Sequence, residues 1–411
     1  MTNNTIAATI TLLPRKEESI LRFHPWVFSG AIASIDGEVY DGALVRINSR
    51  KGDPLGVGHW AEGSIAVRML SFISNEEIDA SFWEARLSAA LLLRIRAGLL
   101  RSASAPEGEN NVYRLIHGEG DQLPGLIIDV YGNTAVMQAH SMGMHYSRET
   151  IATALVRVYA ELCGADTLSA IYYKSSSTLP TRTAREECED GFLYGHTEAQ
   201  PVWENGIKFM PDWLRGQKTG FFVDQRDNRA LVEHYAKDRV LLNAFCYTGG
   251  FSLYALRGGA QQVDSLDSSA KAMYLTEEHV RLNFGDCPQH HAITQDAFEY
   301  LEQMPEHKYD MIILDPPAFA KHRKVLRNAL IGYRRINAQA FRKIAPGGIL
   351  FTFSCSQAVS REEFRLAVFT AAAASGRHVR ILHQLTQPLD HAVSIYHPEG
   401  EYLKGLVLAV D

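Results

Sequence analysis

Two short segments carry the residue types from which covalent chemistry on a flat heterocycle could be assembled: Ser354-Cys355-Ser356 and Asp315-Pro316-Pro317-Ala318-Phe319. Carbon 5 of a cytosine is not nucleophilic, so it cannot take a methyl group unaided. A thiolate adding to C6 makes C5 enamine-like, and a cysteine at the substrate end of a sheet can supply that thiolate. A proline pair after an apolar strand forces an extended turn and presents the preceding side chain, here Asp315, to a cleft. Asp315 could bond the pyrimidine edge and support protonation at N3.

Each segment has a plainer reading. A lone cysteine is usually a buried strand residue, and Asp-Pro-Pro can be a stiff loop. In amino-group methyltransferases an Asp/Asn-Pro-Pro-aromatic run accepts the target amine, so Asp315 also fits nitrogen methylation. Here Ala318 interrupts that run before Phe319. The flanking serines, and the coincidence of both segments at successive strand ends, favour the functional reading of Cys355.

The cofactor is read from the preceding strand ends. Asn243-Ala-Phe245-Cys-Tyr247-Thr248-Gly249-Gly250 leads from a strand into a helix. Glycines there allow close backbone approach, and the helix start offers free N–H groups. A dinucleotide fold would want GxGxxG at this turn. The adjacent glycine pair and the aromatic Tyr247 suit a ligand without phosphates. Gly216-Gln-Lys-Thr219 is not a phosphate loop either, because no glycine directly precedes the lysine. Asp267-Ser268 ends the next strand, where an acid can accept both hydroxyls of a ribose. Asp296-Ala297 ends the third, placed to meet an adenine edge. An acid at a strand end is often only a helix cap, but the ordered series points to S-adenosylmethionine.

These residues need a scaffold with successive strand ends in register. From about Gln200 onward strands and helices alternate. Strands are expected at Val240–Ala244, Val263–Asp267, Ala292–Thr294, Tyr309–Leu314 and Gly348–Phe353, with Val379–Leu385 and Tyr402–Val410 closing the chain. Helices are expected at Gly250–Arg257, Ser269–Asn283, Ala297–Met304, Leu326–Ile344 and Arg361–Ala374. That rhythm implies an α/β, doubly wound, mainly parallel sheet with its ligand at the carboxyl ends. Residues 1–73 read as a small β-barrel, with alternation in Ala43–Asn48 and a turn at Lys51-Gly-Asp-Pro54. Residues 74–198 read as a small α/β middle domain, with helices at Ser81–Arg101 and Arg148–Cys163 and a hairpin across Gly132-Asn133. Residues 199–411 form the third domain.

Composition bounds the rest. At 411 residues, 46% hydrophobic and 21% charged, this is an ordinary globular chain, too long for one core. No apolar run spans a membrane and no export signal is evident, so no membrane partner is expected and a cytoplasmic location is. The five cysteines form no CxxC pair, which argues against a metal site and a disulfide framework. A net charge of −6 and a pI near 6.2 speak against nucleic acid. Local charge speaks for it. From Pro316 through Arg361 there is no acid, but nine basic residues: Lys321, Arg323, Lys324, Arg327, Arg334, Arg335, Arg342, Lys343 and Arg361. A phosphate backbone would be drawn there, with the first six as candidate RNA contacts.

Over nearly its whole length the chain resembles bacterial large-subunit ribosomal RNA cytosine-C5 methyltransferases that carry an N-terminal PUA domain. The resemblance rests on Gly216-Gln-Lys-Thr-Gly-Phe-Phe-Val-Asp-Gln-Arg-Asp-Asn-Arg229, Asn243–Gly250, Asp315-Pro-Pro317 and Ser354-Cys-Ser356, with Glu119-Gly-Asp-Gln-Leu-Pro-Gly-Leu126 in the middle domain. It implies a PUA-like barrel, a small α/β domain and a class I methyltransferase fold with a seven-stranded sheet. It also implies Gln225, Arg226 and Asn228 near the methionine end of the cofactor, Cys355 as nucleophile, ribosomal RNA as partner and a homodimer. Many RNA cytosine-C5 methyltransferases release the adduct with a second cysteine after the first proline of the strand-four motif. Pro317 stands there in this chain.

Three other readings compete. One keeps the cofactor and methylates a purine nitrogen in RNA, with Asp315 central and Cys355 structural. Another is an RNA-binding assembly factor with a vestigial cofactor site, against which the intact series Asp267, Asp296, Asp315 and Cys355 argues. A nicotinamide oxidoreductase is disfavoured by the missing phosphate loop.

Overall fold

The computed structural model describes residues 5–100, 109–320 and 322–411, so Arg101 and Lys321 lie outside the described residues. Internal contacts divide the chain into two compact units. The first holds residues up to Gly206, Met210–Val223 and Leu389–Gly400. The second holds Ile207–Phe209, Asp224–Pro388 and Glu401–Asp411.

In the first unit, strands Trp26–Phe28, Ile65–Ser71, Pro54–Trp60, Leu44–Asn48, Ala8–Leu12 and Ile32–Gly37 neighbour one another in that order. They form the expected PUA-like curled sheet, closed over Ile10, Leu12, Val45, Ile47, Val67 and Met69. The alternation expected in Ala43–Asn48 is blurred because both faces are covered. Val45 and Ile47 fill the barrel, while Leu44, Val57 and Leu70 join a second core with helix Ala80–Arg96.

That second core belongs to a five-stranded sheet in the order Gly191–Gly195, Ala170–Tyr173, Thr134–Ala139, Leu126–Tyr131, Val112–His117. The hairpin turns at Gly132-Asn133, with Gly132 at φ +62. Helix Ala80–Arg96 is capped by Asp79, which accepts from the Phe82 amide at 3.0 Å. It ends earlier than its spacing suggested. Near its end Arg94 is fully buried. Its guanidinium pairs with Asp121, at 2.8 Å from Oδ2, and donates to the Asp390 carbonyl at 2.7 Å. Arg94 is thus an internal tie between the middle sheet and Leu389–Gly400. Gly120 is needed beside it, since a Cβ there would lie 1.8 Å from the Ala392 carbonyl oxygen.

The second unit carries the doubly wound sheet: α1 (Arg226–Tyr235), β1 (Val240–Ala244), α2 (Gly250–Arg257), β2 (Gln262–Asp267), α3 (Ala270–Phe284), β3 (His290–Thr294), α4 (Ala297–Gln303), β4 (Met311–Leu314), α5 (Leu326–Lys343), β5 (Gly348–Ser354), α6 (Arg361–Ser375), β6 (Val379–Leu385) and β7 (Lys404–Val410). The strand order is β3-β2-β1-β4-β5-β7-β6. The first five strands are parallel, and β7 runs antiparallel to β5 and β6. β4 and β5 are buried at every residue, as central parallel strands must be. The order reverses between β1 and β4, and doubly wound sheets bind their ligands at the carboxyl ends beside such a switch point. Helix α1 escaped the sequence reading because its buried face carries Arg226, Asn228 and Arg229 beside Val232, which hides the apolar period. Among the described residues no helix is long and apolar enough to cross a membrane.

Candidate functional site

β4 and β5 are adjacent and parallel, so Asp315 and Cys355, each one residue past its strand, emerge at the same carboxyl edge, with Cys355 further along because Leu314 pairs with Thr352. The Cys355 sulfur lies 4.0 Å from the carbonyl oxygen of Pro316, which is buried, while Asp315 and Cys355 are half-buried. The flanking serines hold the two loops together. Ser354 Oγ donates to the Tyr333 hydroxyl at 2.9 Å, and Tyr333 lies 2.9 Å from Ser356 Oγ. Ser356 Oγ also accepts from the Ala320 amide at 3.2 Å, joining the cysteine loop to the Asp315 loop. Tyr333 stands on the buried face of α5, where helical spacing marks it only as core. Nothing in residue type or spacing singles it out.

Asp315 is held from α1. Gln225 Nε2 donates to Asp315 Oδ2 at 3.2 Å, and Asn228 Nδ2 donates to Gln225 Oε1 at 2.6 Å and to the Thr386 carbonyl at 3.3 Å. The amide orientation of Gln225 is therefore set by Asn228. Arg226, between them in sequence, is buried, with its guanidinium 3.7 Å from Asp227. Asp224 accepts from the Tyr402 hydroxyl at 2.7 Å.

The β1–α2 loop has a backbone fitted to close approach. Phe245 (φ 61), Tyr247 (φ 48) and Gly249 (φ 79) all occupy the left-handed region. Two of these are not glycine, and such strain clusters at ligand sites. A Cβ on Gly249 would lie 2.5 Å from Thr276 Cγ2. Thr276 Oγ1 donates to the Tyr247 carbonyl at 3.0 Å, and His279 Nδ1 donates to the Thr248 carbonyl at 2.9 Å. Asn243 is buried beneath the loop, with Nδ2 on Ser252 at 2.9 Å. Cys246, also in the loop, is buried, and burial followed by the Asp267 charge pushes its thiol well up, which leaves it inert.

Asp267 braces this loop. Its Oδ2 accepts from the Tyr247 amide at 3.1 Å and its Oδ1 from the Ser269 amide at 2.9 Å. One lone pair on each oxygen remains for the two hydroxyls of a ribose. The donor set therefore fits the adenosyl part of S-adenosylmethionine. Ser268 is exposed beside it. Asp296 caps α4, its Oδ1 accepting from Phe298 and Glu299 amides at 2.9 and 3.1 Å. Ala297 is the buried first residue of that helix.

Of the basic segment, Arg323, Lys324, Arg327 and Arg334 are exposed, on a short helical turn and along α5. Arg335 is committed elsewhere, to Glu302 at 2.5 Å and the face of Phe298 at 5.4 Å. Lys343 likewise donates to the Met304 carbonyl at 2.7 Å. Lys404, on β7, went unnoticed in the sequence. It is buried, and its Nζ donates to the carbonyls of Ser356 and Val359 at 2.7 and 2.8 Å.

Known proteins bear on this geometry. Residues 114–393 match a family of S-adenosylmethionine-dependent methyltransferases and residues 10–72 match a PUA-like domain. A protein of Tolumonas auensis named ribosomal RNA large subunit methyltransferase I is 40% identical over 98% of this chain and 99% of its own. Its namesake in Aeromonas hydrophila is 39% identical over the same shares. A solved Streptococcus mutans structure, assigned as a methyltransferase of this cofactor class, superposes with a TM-score of 0.81 at 21% identity, over 99% of this chain and all of the other. A second solved structure, assigned as a methyltransferase and complexed with SAH, gives the same values.

Proposed function

The chain belongs to the ribosomal RNA large subunit methyltransferase I family, S-adenosylmethionine-dependent enzymes with a PUA-like domain, and from that premise we propose that it methylates C5 of a cytosine in large-subunit ribosomal RNA through an adduct between Cys355 and C6. The observation that carries the reading is the juxtaposition of Cys355 with the Asp315-Pro316 turn, 4.0 Å from sulfur to the Pro316 carbonyl.

The cofactor supplies an electrophilic methyl group on sulfonium sulfur. The chain's own residues do the rest. Cys355 gives up its thiol proton, and the sulfur electron pair forms the bond to C6. Ring electrons shift as N3 takes up, by way of solvent, the proton that the thiol gave up, and the Asp315 carboxylate accepts a hydrogen bond from that N–H. Held by the β1–α2 loop and Asp267, the cofactor would supply the methyl carbon to which C5 bonds, with cleavage of its carbon–sulfonium bond. Loss of the C5 proton restores the C5–C6 double bond, expels the thiolate and releases N3 from its proton. Overall one proton is exchanged for one methyl group. With Pro317 in place of a second cysteine, the C5 proton leaves to a base other than a thiol. Gln225 and Asn228 orient Asp315. Arg323, Lys324, Arg327 and Arg334 offer charge for the phosphate backbone. The homodimer belongs to the same proposal, and molar mass in solution tests it.

The experiment is nucleoside mass spectrometry of large-subunit ribosomal RNA methylated by the wild-type chain and by Cys355→Ala. 5-Methylcytidine with the wild type alone is the expected result. A methylated purine, or turnover that survives the substitution, sinks the cysteine mechanism and leaves nitrogen methylation around Asp315.

A further inference from the structure

Lys404 is a buried ammonium in an unusual setting. Its Cα lies directly opposite Ser354 across the β5–β7 ladder, one residue before Cys355. Gly405 permits this tight crossing, since a Cβ there would be 2.6 Å from the Phe353 ring. Lys404 Nζ donates to the Ser356 and Val359 carbonyls, so the ammonium sits under the turn that carries the cysteine. Among the described residues it forms no ion pair. Two carboxylates act on it from a distance and less than Cys355 does: Glu401, which pairs with Arg361, and Glu363, which also accepts from the Ser360 amide at 2.8 Å in the cap of α6. From α5 the site faces Tyr333, whose hydroxyl burial keeps neutral. From β4 it faces the Asp315-Pro316 turn.

A buried ammonium that no carboxylate contacts directly is costly, and a clamp for two carbonyls could be made by a neutral donor. We propose that Lys404 is a positioning residue whose ammonium is the counter-ion of the Cys355 thiolate, favouring the nucleophile before RNA binds. Resting on Cys355 as nucleophile, this assigns the activation of that thiol to a buried residue beneath its turn. Burial, partly offset by the charge on Cys355, lowers Lys404 to about 8, so the ammonium persists at neutral pH. The attraction is mutual, because a nearby cation favours the thiolate as much as the thiolate favours the cation.

The test is the pH dependence of iodoacetamide alkylation at Cys355 in the full chain without RNA, followed by peptide mass spectrometry. Cys287 in the same chain serves as internal reference. In the wild type Cys355 reacts with a midpoint at lower pH than Cys287. Lys404→Gln keeps a neutral donor for the carbonyls and Lys404→Met keeps only the stem. In both, Cys355 alkylation at pH 7 slows by roughly three- to tenfold and its midpoint rises. An unchanged profile in Lys404→Gln reduces the lysine to a backbone clamp and overturns the proposal. So does a wild-type Cys355 that titrates no lower than Cys287, a result independent of whether any variant folds. Methylation surviving in Cys355→Ala would instead remove the nucleophile reading while leaving the alkylation profile intact, so the two failures are distinguishable.

Discussion

Gln225 reaches Asp315 across 3.2 Å with its amide already turned by Asn228. The amide donates to one carboxylate oxygen, Oδ2, at the end of β4. Asp315→Asn removes the acceptor for a protonated ring and is expected to slow single-turnover methyl transfer by about 10²-fold or more. Gln225→Ala or Asn228→Ala loosens the carboxylate without deleting it, and a loss of roughly tenfold is expected. Full activity in Asp315→Asn would remove this carboxylate from the chemistry.

The exposed basic residues divide by what they touch. Arg327 and Arg334 are exposed along α5, whereas Arg335 is engaged with Glu302 and Phe298. Replacing Arg327 and Arg334 together with Ala is expected to weaken RNA binding. The slope of log K against log salt should shrink by about 1 to 2, near 0.9 per lost phosphate contact. Arg335→Ala should leave that slope unchanged and lower stability by about 0.2–1 kcal/mol. Filter binding over a salt series separates the two.

What could be read in advance follows a physical line. The strands of the doubly wound sheet lie within a few residues of their expected positions, because continuous apolar runs between glycine and proline breaks are local signals. Cys355 and Asp315 were legible because each directly follows such a run. Tyr333 and Lys404 were not. Tyr333 has the spacing of any core residue on α5, and Lys404 opens a strand whose partner lies fifty residues earlier in the chain, at Ser354. Asp296 looked like a ligand and caps a helix through Oδ1, a role that residue type and position cannot separate from adenine recognition. Leu389–Gly400 looked like a link between the last two strands. Its tie to the first unit, through the Asp390 carbonyl on Arg94, is a non-local contact that periodicity does not encode.

Within the first unit, Gly143 lies against His59. A Cβ on Gly143 would come 2.2 Å from the imidazole Cγ. His59 is buried in the barrel sheet, and burial, helped by Arg68, lowers it to about 4. Gly143→Ala is therefore expected to cost about 1–3 kcal/mol by overpacking, read as a fall in thermal midpoint. Adding His59→Ala should recover part of the loss. S-adenosylmethionine affinity, set in the other unit, should not change. A Gly143→Ala protein as stable as wild type would show that the ring can move aside.

Asp264 gives a pH dependence with a definite sign. Burial opposes its charge, but donors from Lys308 at 2.7 Å, Tyr309 at 2.5 Å, Gln262 at 2.7 Å and His291 at 2.9 Å hold its carboxyl down at about 2. The usual value is 3.8, so between roughly pH 4 and 2 the unfolded chain binds the extra proton. The stability that Asp264 contributes is complete above pH 4 and disappears as pH falls through about 2. His59 and His290, lowered by burial to about 4, act in a different window, between pH 6.5 and 4, where the unfolded chain takes up their protons. The difference between wild-type and Asp264→Asn unfolding curves isolates the carboxylate. The variant is expected to be about 1–3 kcal/mol less stable at pH 7, with the difference shrinking only below pH 4. A difference that instead shrank between pH 6.5 and 4 would place the effect on the histidines.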